Sequence, residues 1–221
     1  MKISIYHQFQ SGPWGGANQF LKALKQELQL ENYYTDDINK ANVVLFNAHQ
    51  EAEGILRVKN LFPQKLYAHR MDGIYSLYNH QNDPRQRIAL ALNNAVADCT
   101  VFQNNWAKEE HLNLNFNLNK PYSIIPNASN HKIFNTDYKK TYAEKTRLVC
   151  TSWSINKNKG LNYYKFLDEN LDFNKYSFTY IGKDPGMKFK NIKKIGPFNS
   201  KELASHLKKH DIFISPSKYE C

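Results

Sequence analysis

Four short segments carry side chains whose types and spacing do more than fill a core. Gly12-Pro13-Trp14-Gly15-Gly16-Ala17 lies between an apolar run and a helical pattern. Paired glycines permit positive φ and close backbone approach. A helix starting there presents free N–H groups to an anion. The alternative is a tight turn that binds nothing. The spacing is not Gly-x-Gly-x-x-Gly, and no acidic residue follows a second strand at the distance a ribose contact needs, which speaks against a dinucleotide. His69-Arg70-Met71-Asp72-Gly73 ends another apolar run. It reads either as a loop with a capping Asp or as a polar group of side chains at a strand's carboxyl end, suited to substrate binding. In Asn156-Lys157-Asn158-Lys159-Gly160 a lysine stands beside a glycine at a helix start. A cation there, with free backbone N–H groups, makes a diphosphate cradle; the alternative is a solvated turn. Glu220 follows Ser215-Pro216-Ser217-Lys218-Tyr219, and by itself reads as an exposed carboxylate.

The elements that would position these segments alternate between strand and helix. Strands are expected at 2–6, 43–46, 65–68, 99–102 and 122–125, and helices at 17–30, 50–61, 84–95 and 105–112. Val43-Val44-Leu45-Phe46 is apolar throughout, as a parallel strand buried on both faces must be. Phe20, Leu21, Leu24 and Leu28 recur at helical spacing. A polar stretch rich in Asn, Lys and Tyr covers 127–146, and a domain boundary is expected near 135–145. The alternation then restarts, with strands at 148–151, 176–181, 192–195 and 212–214 and helices at 160–171 and 201–209. Such alternation predicts parallel sheets with helices on both faces, and ligands bind beyond the carboxyl ends of the strands. The expected fold class is therefore α/β, with two Rossmann-like parallel-sheet domains, 1–137 and 138–221, facing a cleft. The second has about four strands, thin for a free-standing domain, and is expected to be incomplete.

Composition narrows the function classes. Hydrophobic residues make up 41% of the chain, enough for a core and against disorder. No apolar run reaches the ~18 residues that span a bilayer, and no signal peptide is expected at the N-terminus. Cys99, Cys150 and Cys221 form neither a metal spacing nor a disulfide framework, so a reducing, cytoplasmic compartment is expected. Residues 1–137 carry 13 basic and 12 acidic side chains, and residues 138–221 carry 17 and 8. The second part is where an anion would be drawn, although a lysine-rich solvated surface accounts for the same charge. No nucleic-acid-binding motif accompanies it, so no nucleic acid partner is expected.

Taken in order, these segments resemble the retaining glycosyltransferases of family 4, which have the GT-B fold. Gly15-Gly16 before Ala17-Asn18-Gln19-Phe20 resembles that family's N-terminal glycine loop. Val101-Phe102-Gln103-Asn104-Asn105-Trp106 resembles its "seen in S-x-x" segment, and Ile124-Ile125-Pro126-Asn127 its I-P-N-G, here with Ala128 in place of Gly. Lys157 to Gly160 resembles the K-G phosphate motif, Tyr180-Ile181-Gly182 the strand ending in I-G, and Ser215 to Glu220 the opening of the E-x7-E donor motif. The chain departs from the family at Ser152-Trp153-Ser154, where a Gly-Arg often stands, so a diphosphate would lean on Lys159, with Lys157 beside it.

The resemblance implies transfer, with retention, of a hexose-type sugar from a nucleotide-diphosphate donor to a glycan, lipid or small-molecule acceptor. It assigns catalysis to His69, Asp72, Lys159 and Glu220. Donor binding falls to Gly15, Gly16, Asn127, Ser154, Lys157, Lys159, Gly182 and Glu220, and acceptor binding to Arg70 and Asp72. No metal or other cofactor is implied. The implied partners are a nucleotide sugar and a glycan or lipid-linked acceptor, with peripheral contact at the inner face of the membrane as an accompanying expectation. The second Glu of E-x7-E would lie past residue 221, so these residues alone are expected to transfer no sugar. A sugar epimerase on the same scaffold and a non-catalytic GT-B binding protein are the alternatives.

Overall fold

The computed structural model describes residues 1–117, 119–154 and 156–219. They form two compact units. Among the described residues, the first takes 1–10 and 16–128, and the second takes 11–15 and the described part of 129–219. The α/β class is the expected one: each unit is an α/β layer structure around an all-parallel, Rossmann-like sheet.

In the first unit five strands follow spatial order β1-β2-β3-β4-β5: β1 Ile3–Tyr6, β2 Val43–Asn47, β3 Leu66–Arg70, β4 Cys99–Phe102 and β5 Tyr122–Ile124. The register puts Asn47 opposite Arg70, and Phe46 opposite His69. Helices α1 Gly16–Leu30, α2 Ala52–Leu61, α3 Tyr75–Tyr78, α4 Pro84–Val96 and α5 Asn105–Asn113 connect and flank them. Val44 and Phe46 are buried against Ile55 and Val58 of α2 and Leu92 and Val96 of α4. Met71, Ala89, Phe102 and Phe116 make a second cluster. Burying a side chain such as Phe46 contributes about 1.5–3 kcal/mol, so the β2 run alone accounts for much of the sheet's hold on α2 and α4. Helix starts are closed by side chains. Asp83 accepts from the Arg85 backbone N–H ahead of α4, with Pro84 at the first helical position, and Asn104 accepts from Ala107 ahead of α5. Proline there gives up an N–H that has no helical partner anyway.

The second unit holds β6 Thr146–Ser152, β7 Tyr176–Gly182, β8 Lys193–Ile195 and β9 Ile212–Phe213 in order β8-β7-β6-β9, with α6 Leu161–Asn170 and α7 Ser200–Leu207. Its core gathers Leu148, Cys150, Leu161, Tyr164, Phe178, Tyr180 and Ile192. Burial pushes the Cys150 thiol up to about 12, so it stays a neutral core side chain. Asp168 of α6, 3% exposed, accepts from three successive backbone N–H groups, those of Lys190, Asn191 and Ile192, at 2.7–2.8 Å. Burial opposes its ionisation, yet these donors outweigh burial and hold its carboxyl below the usual range.

The compact units meet in sequence at Ala128–Ser129. Residues 129–145 are polar but tied to the second unit. Lys208 donates to Asn135 at 2.7 Å and lies over the Tyr138 ring, and Arg147 donates to Thr141. Lys140 pairs with Asp211, which Arg147 also clasps. Its side-chain contacts make this polar stretch part of the second unit.

Candidate functional site

In the first unit the carboxyl ends of β2, β3, β4 and β5 deliver Asn47, Arg70, Gln103 and Asn127 to one polar network. It is centred on Asp72, two residues beyond β3. Arg70 Nη1 donates to Asp72 Oδ1 at 2.9 Å and to Asn47 Oδ1 at 2.7 Å, and its Nη2 donates to Asn127 Oδ1 at 2.9 Å. Asn47 Nδ2 and the Tyr75 hydroxyl both donate to Asp72 Oδ2 at 3.1 Å. Gln103 Nε2 donates to Asp72 Oδ1 at 3.0 Å, and Asn127 in turn donates to Gln103 Oε1. The Arg70 side chain is 5% exposed and lies 4.2 Å over the Phe20 ring, whereas Asp72 keeps 20% exposure. The charged pair is desolvated, which is tolerable only because nearly every donor and acceptor around it is filled. Side chains from four strand ends and the following loops meet here because parallel strands all end on one edge.

His69 takes a different place from that expected. It is 0% exposed, stacked on Phe46 with ring centroids 4.2 Å apart. Its Nε2 donates to the Ala48 carbonyl at 2.9 Å, and its Nδ1 accepts from Asn93 at 3.1 Å. Strand alternation explains the difference: Arg70 reaches the network, and its neighbour His69 points into the core. Burial drives its pKa down to about 3, so the ring is neutral. A fully buried ring with both nitrogens paired has no atom to offer a substrate. His69 is a core residue that braces Ala48.

That bracing bears on residues the motifs missed. Ala48 and Glu51 both have positive φ, 49° and 54°, without being glycine. Ala48 is held from both sides, its N–H donating to the Arg70 carbonyl at 2.9 Å and its own carbonyl accepting from His69. The turn closes with Gln50 N–H on the Asn47 carbonyl. Between the two left-handed residues stands His49, half-buried, with Nδ1 3.0 Å from the Tyr75 hydroxyl. Burial first, and then the Arg85 charge, lower its pKa, against the opposing pull of Asp72 and Asp83. Sequence offered no motif for His49, Tyr75 or Asn47, and Gln103 stood in the 101–106 segment without a role of its own. The one available signal was their position just past strand ends.

In the second unit the candidate donor residues also follow strand ends. Ser152 closes β6, and its hydroxyl donates to the Ser154 carbonyl at 2.8 Å, while the Ser154 hydroxyl accepts from Asn156 N–H. A 3-10 turn, Lys157–Lys159, leads to Gly160, whose φ of 83° starts α6. A Cβ on Gly160 would collide with Pro216. Lys157, Asn158, Gly160, Tyr163, Pro216, Ser217 and Lys218 line a cavity of about 530 Å3, and Lys218 N–H donates to the Asn158 carbonyl. Lys157 and Lys218 line it; Lys159, on the same turn, does not. Gly182 ends β7 at φ 147°, where a Cβ would overlap the Ser152 carbonyl. Gly15 has φ 20°, and around both it and Gly16 a Cβ would meet open space. Glu220 lies outside the described residues.

Among the described residues no three His, Cys, Asp or Glu side chains gather as a metal site, and no helix is long and apolar enough to cross a membrane. No family model matches the chain, and no curated protein matches it. Among solved structures it is similar to a Staphylococcus aureus MnaA–UDP co-structure, at 16% identity and a TM-score of 0.48, over 88% of this chain and 56% of that one. It is similar to a candidate UDP-N-acetylglucosamine 2-epimerase from Listeria monocytogenes, at 13% identity and TM-score 0.46, over 88% and 54%. It is also similar to a glycosylation associate protein (Gap123) complex from Streptococcus agalactiae, at 10% identity and TM-score 0.40, over 90% and 42%. The chain thus spans about half the length of the solved structures it matches.

Proposed function

We propose that this chain belongs to a nucleotide-sugar-dependent enzyme that transfers a hexose-type sugar, with retention, from a nucleoside-diphosphate donor to a glycan, lipid or small-molecule acceptor. The observation that carries this reading is the cavity at the carboxyl edge of the second sheet. It has about 530 Å3, within the usual range for small-ligand sites. Two lysines, Lys157 and Lys218, line it beside a glycine in left-handed conformation at a helix start. That combination suits a diphosphate: cations for its charge, the positive end of the α6 dipole, and no Cβ to block close approach. Lys159 adds a third cation to the turn. In the proposed reaction these groups stabilise the charge that grows on the leaving diphosphate, commonly a large share of barrier lowering. Asp72 and Arg70 of the first unit are proposed to bind the acceptor. No metal is invoked.

The test uses the full-length protein. UDP, GDP and their sugars are screened by thermal shift, since a ligand that binds only the folded state raises the melting temperature by mass action. Binders are then incubated with acceptors and the products identified. Transfer yields free nucleoside diphosphate and a glycosylated acceptor with unchanged anomeric configuration. Epimerisation yields an altered nucleotide sugar and needs no acceptor. Lys157→Ala and Lys159→Ala are each expected to lower turnover at least ~10-fold. No stabilisation by any nucleotide, or unchanged kinetics in both variants, would sink the proposal.

A further inference from the structure

We propose that the cavity along β1 in the first unit binds a small protonated amine that also carries hydroxyl groups, with the Glu51 carboxylate as its counter-ion and the Ser4 and Tyr6 hydroxyls as further partners. The proposal does not rest on the sugar-transfer reading. No residue that lines this cavity lines the one at Lys157.

The walls come from one unit. Ser4, Tyr6 and His7 of β1 and its end, Asp36 and Ile38 of the segment before β2, and Glu51 ahead of α2 are among the residues around a space of about 360 Å3. That volume is within the usual range for small-ligand sites. The sheet order explains why space is left there. β1 is an edge strand, paired with β2 on one side. On the other side Ile3 meets Tyr34 in a single parallel bridge. The later residues of β1 have no strand beside them there among the described residues, and the cavity takes up that place.

Several polar groups in this lining lack a partner. Ser4 is 3% exposed, and its hydroxyl makes no hydrogen bond among the described residues. The Tyr6 hydroxyl makes none either. It lies where a Cβ on Gly54 would stand, so the bare backbone of α2 makes room for it. His7 Nδ1 is shut off from solvent and unpaired. The Glu51 side chain does not cap α2 and joins no ion pair among the described residues. Buried polar groups without partners are uncommon, and several around one cavity point to a ligand that supplies them.

The sign of charge selects the ligand. Among the described residues no Lys or Arg lines the cavity, while two carboxylates do. An anion is therefore disfavoured, and a carboxylate can only accept, so the ligand must donate to Glu51. Asp36 shows what this edge accepts. Lys25 Nζ lies 2.8 Å from Asp36 Oδ1 and 4.7 Å over the Tyr34 ring, an ammonium between a carboxylate and an aromatic face. The Lys25 ammonium, and then the Tyr34 hydroxyl, hold the Asp36 carboxyl below its usual range. Glu51 offers a second carboxylate whose cation must come from outside. The Ile5 and Ile38 side chains suit the carbon skeleton of an organic cation better than a hydrated metal ion, which prefers oxygen on every side. The two hydroxyls can each donate or accept, and so match hydroxyl groups on the ligand.

The test titrates the full-length protein at pH 7 with glucosamine, ethanolamine and N-acetylglucosamine, followed by saturation-transfer NMR. Both amines should bind, glucosamine more tightly, with a Kd of about 1 mM or lower. N-acetylglucosamine keeps the ring but loses the charge, and should bind at least ~10-fold more weakly than glucosamine. Glu51→Gln preserves the shape of the side chain and should weaken glucosamine binding at least ~10-fold. Ser4→Ala should weaken it about 5-fold without lowering the melting temperature, because the hydroxyl it removes has no partner in the free protein. Glu53→Gln removes the same charge from the exposed face of α2, where Glu53 is 90% exposed, and should leave the affinity unchanged. Absence of binding by both amines overturns the proposal. So does N-acetylglucosamine binding as tightly as glucosamine, or equal glucosamine affinity in wild type and Glu51→Gln. Displacement of glucosamine by Ca2+ at lower concentration would mark a metal site and also overturn it.

Discussion

If His69 belongs to the core, stability should reveal it through pH. The folded ring titrates at about pH 3, against 6.5 for an unperturbed histidine. Between these values the unfolded chain binds a proton that the folded chain refuses. Stability is then fully present above pH 6.5 and falls as pH drops, by about 1.4 kcal/mol per pH unit for one proton. From pH 6.5 to pH 5 His69 alone accounts for a loss of about 2 kcal/mol. Glutamine at this position does not titrate, and its amide can still donate to the Ala48 carbonyl. His69→Gln should therefore be less stable than wild type at pH 7, by about 1–3 kcal/mol for the lost stacking and imperfect pairing. That gap should shrink by about 2 kcal/mol at pH 5. His49, His111 and His210 also have lowered pKa values, but they titrate in both proteins and cancel in the difference. Urea unfolding followed by circular dichroism at pH 7 and pH 5 gives the four free energies. Equal pH slopes in the two proteins would refute the reasoning, because a histidine exposed to a substrate would titrate near its ordinary value and contribute no such slope.

The same physics applies in the second unit. Asp168→Ala leaves three backbone donors at 190–192 without their acceptor, each worth about 1–3 kcal/mol when buried. A loss of at least ~3 kcal/mol is expected, and hydrogen exchange should show β8 and its partner β7 losing protection first; a change under ~1 kcal/mol would contradict the burial and hydrogen bonding described. Gly182→Ala forces a Cβ against the Ser152 carbonyl and requires β6 and β7 to separate at their ends. Its expected cost of about 2 kcal/mol or more should appear as a lowered melting temperature.

Much of the fold was legible because its signals are local. Val43 to Phe46 and Leu148 to Cys150 are apolar throughout, and parallel strands buried on both faces leave that trace. Asn104 and Asp83 stand where a helix start needs an acceptor. The short helix Tyr75–Tyr78 and the 3-10 turn at Lys157–Lys159 were not anticipated, since a single turn is too short to show a period. The site was legible only in part. Arg70 and Asp72 were singled out because they follow a strand and precede a glycine. His69 stood beside them in sequence but faces the opposite side of the sheet, and its partners, Phe46, Ala48 and Asn93, come from other elements. Asn47 and His49 drew no attention because nothing in their neighbours' identities marks them, and Gln103 stood in a quoted segment without a role; the register of Asn47 opposite Arg70 brings Asn47 in, and the Gln103 bond to Asp72 brings Gln103 in. The ties of residues 129–145 to the second unit were hidden for a similar reason, as the pairing of Lys208 with Asn135 spans 73 residues.

The left-handed backbone at Ala48 and Glu51 also bears on efforts to make this protein more robust. Glycine fits such a conformation without penalty, so Glu51→Gly would gain local relief of order 1 kcal/mol. At Ala48 that relief is nearly offset by the loss of a fully buried methyl group, about 0.8 kcal/mol. A screen for thermal tolerance would thus favour position 51 and be indifferent to position 48. Either change frees the backbone on one side of His49, so a turn that Ala48 and Glu51 now fix would sample more conformations.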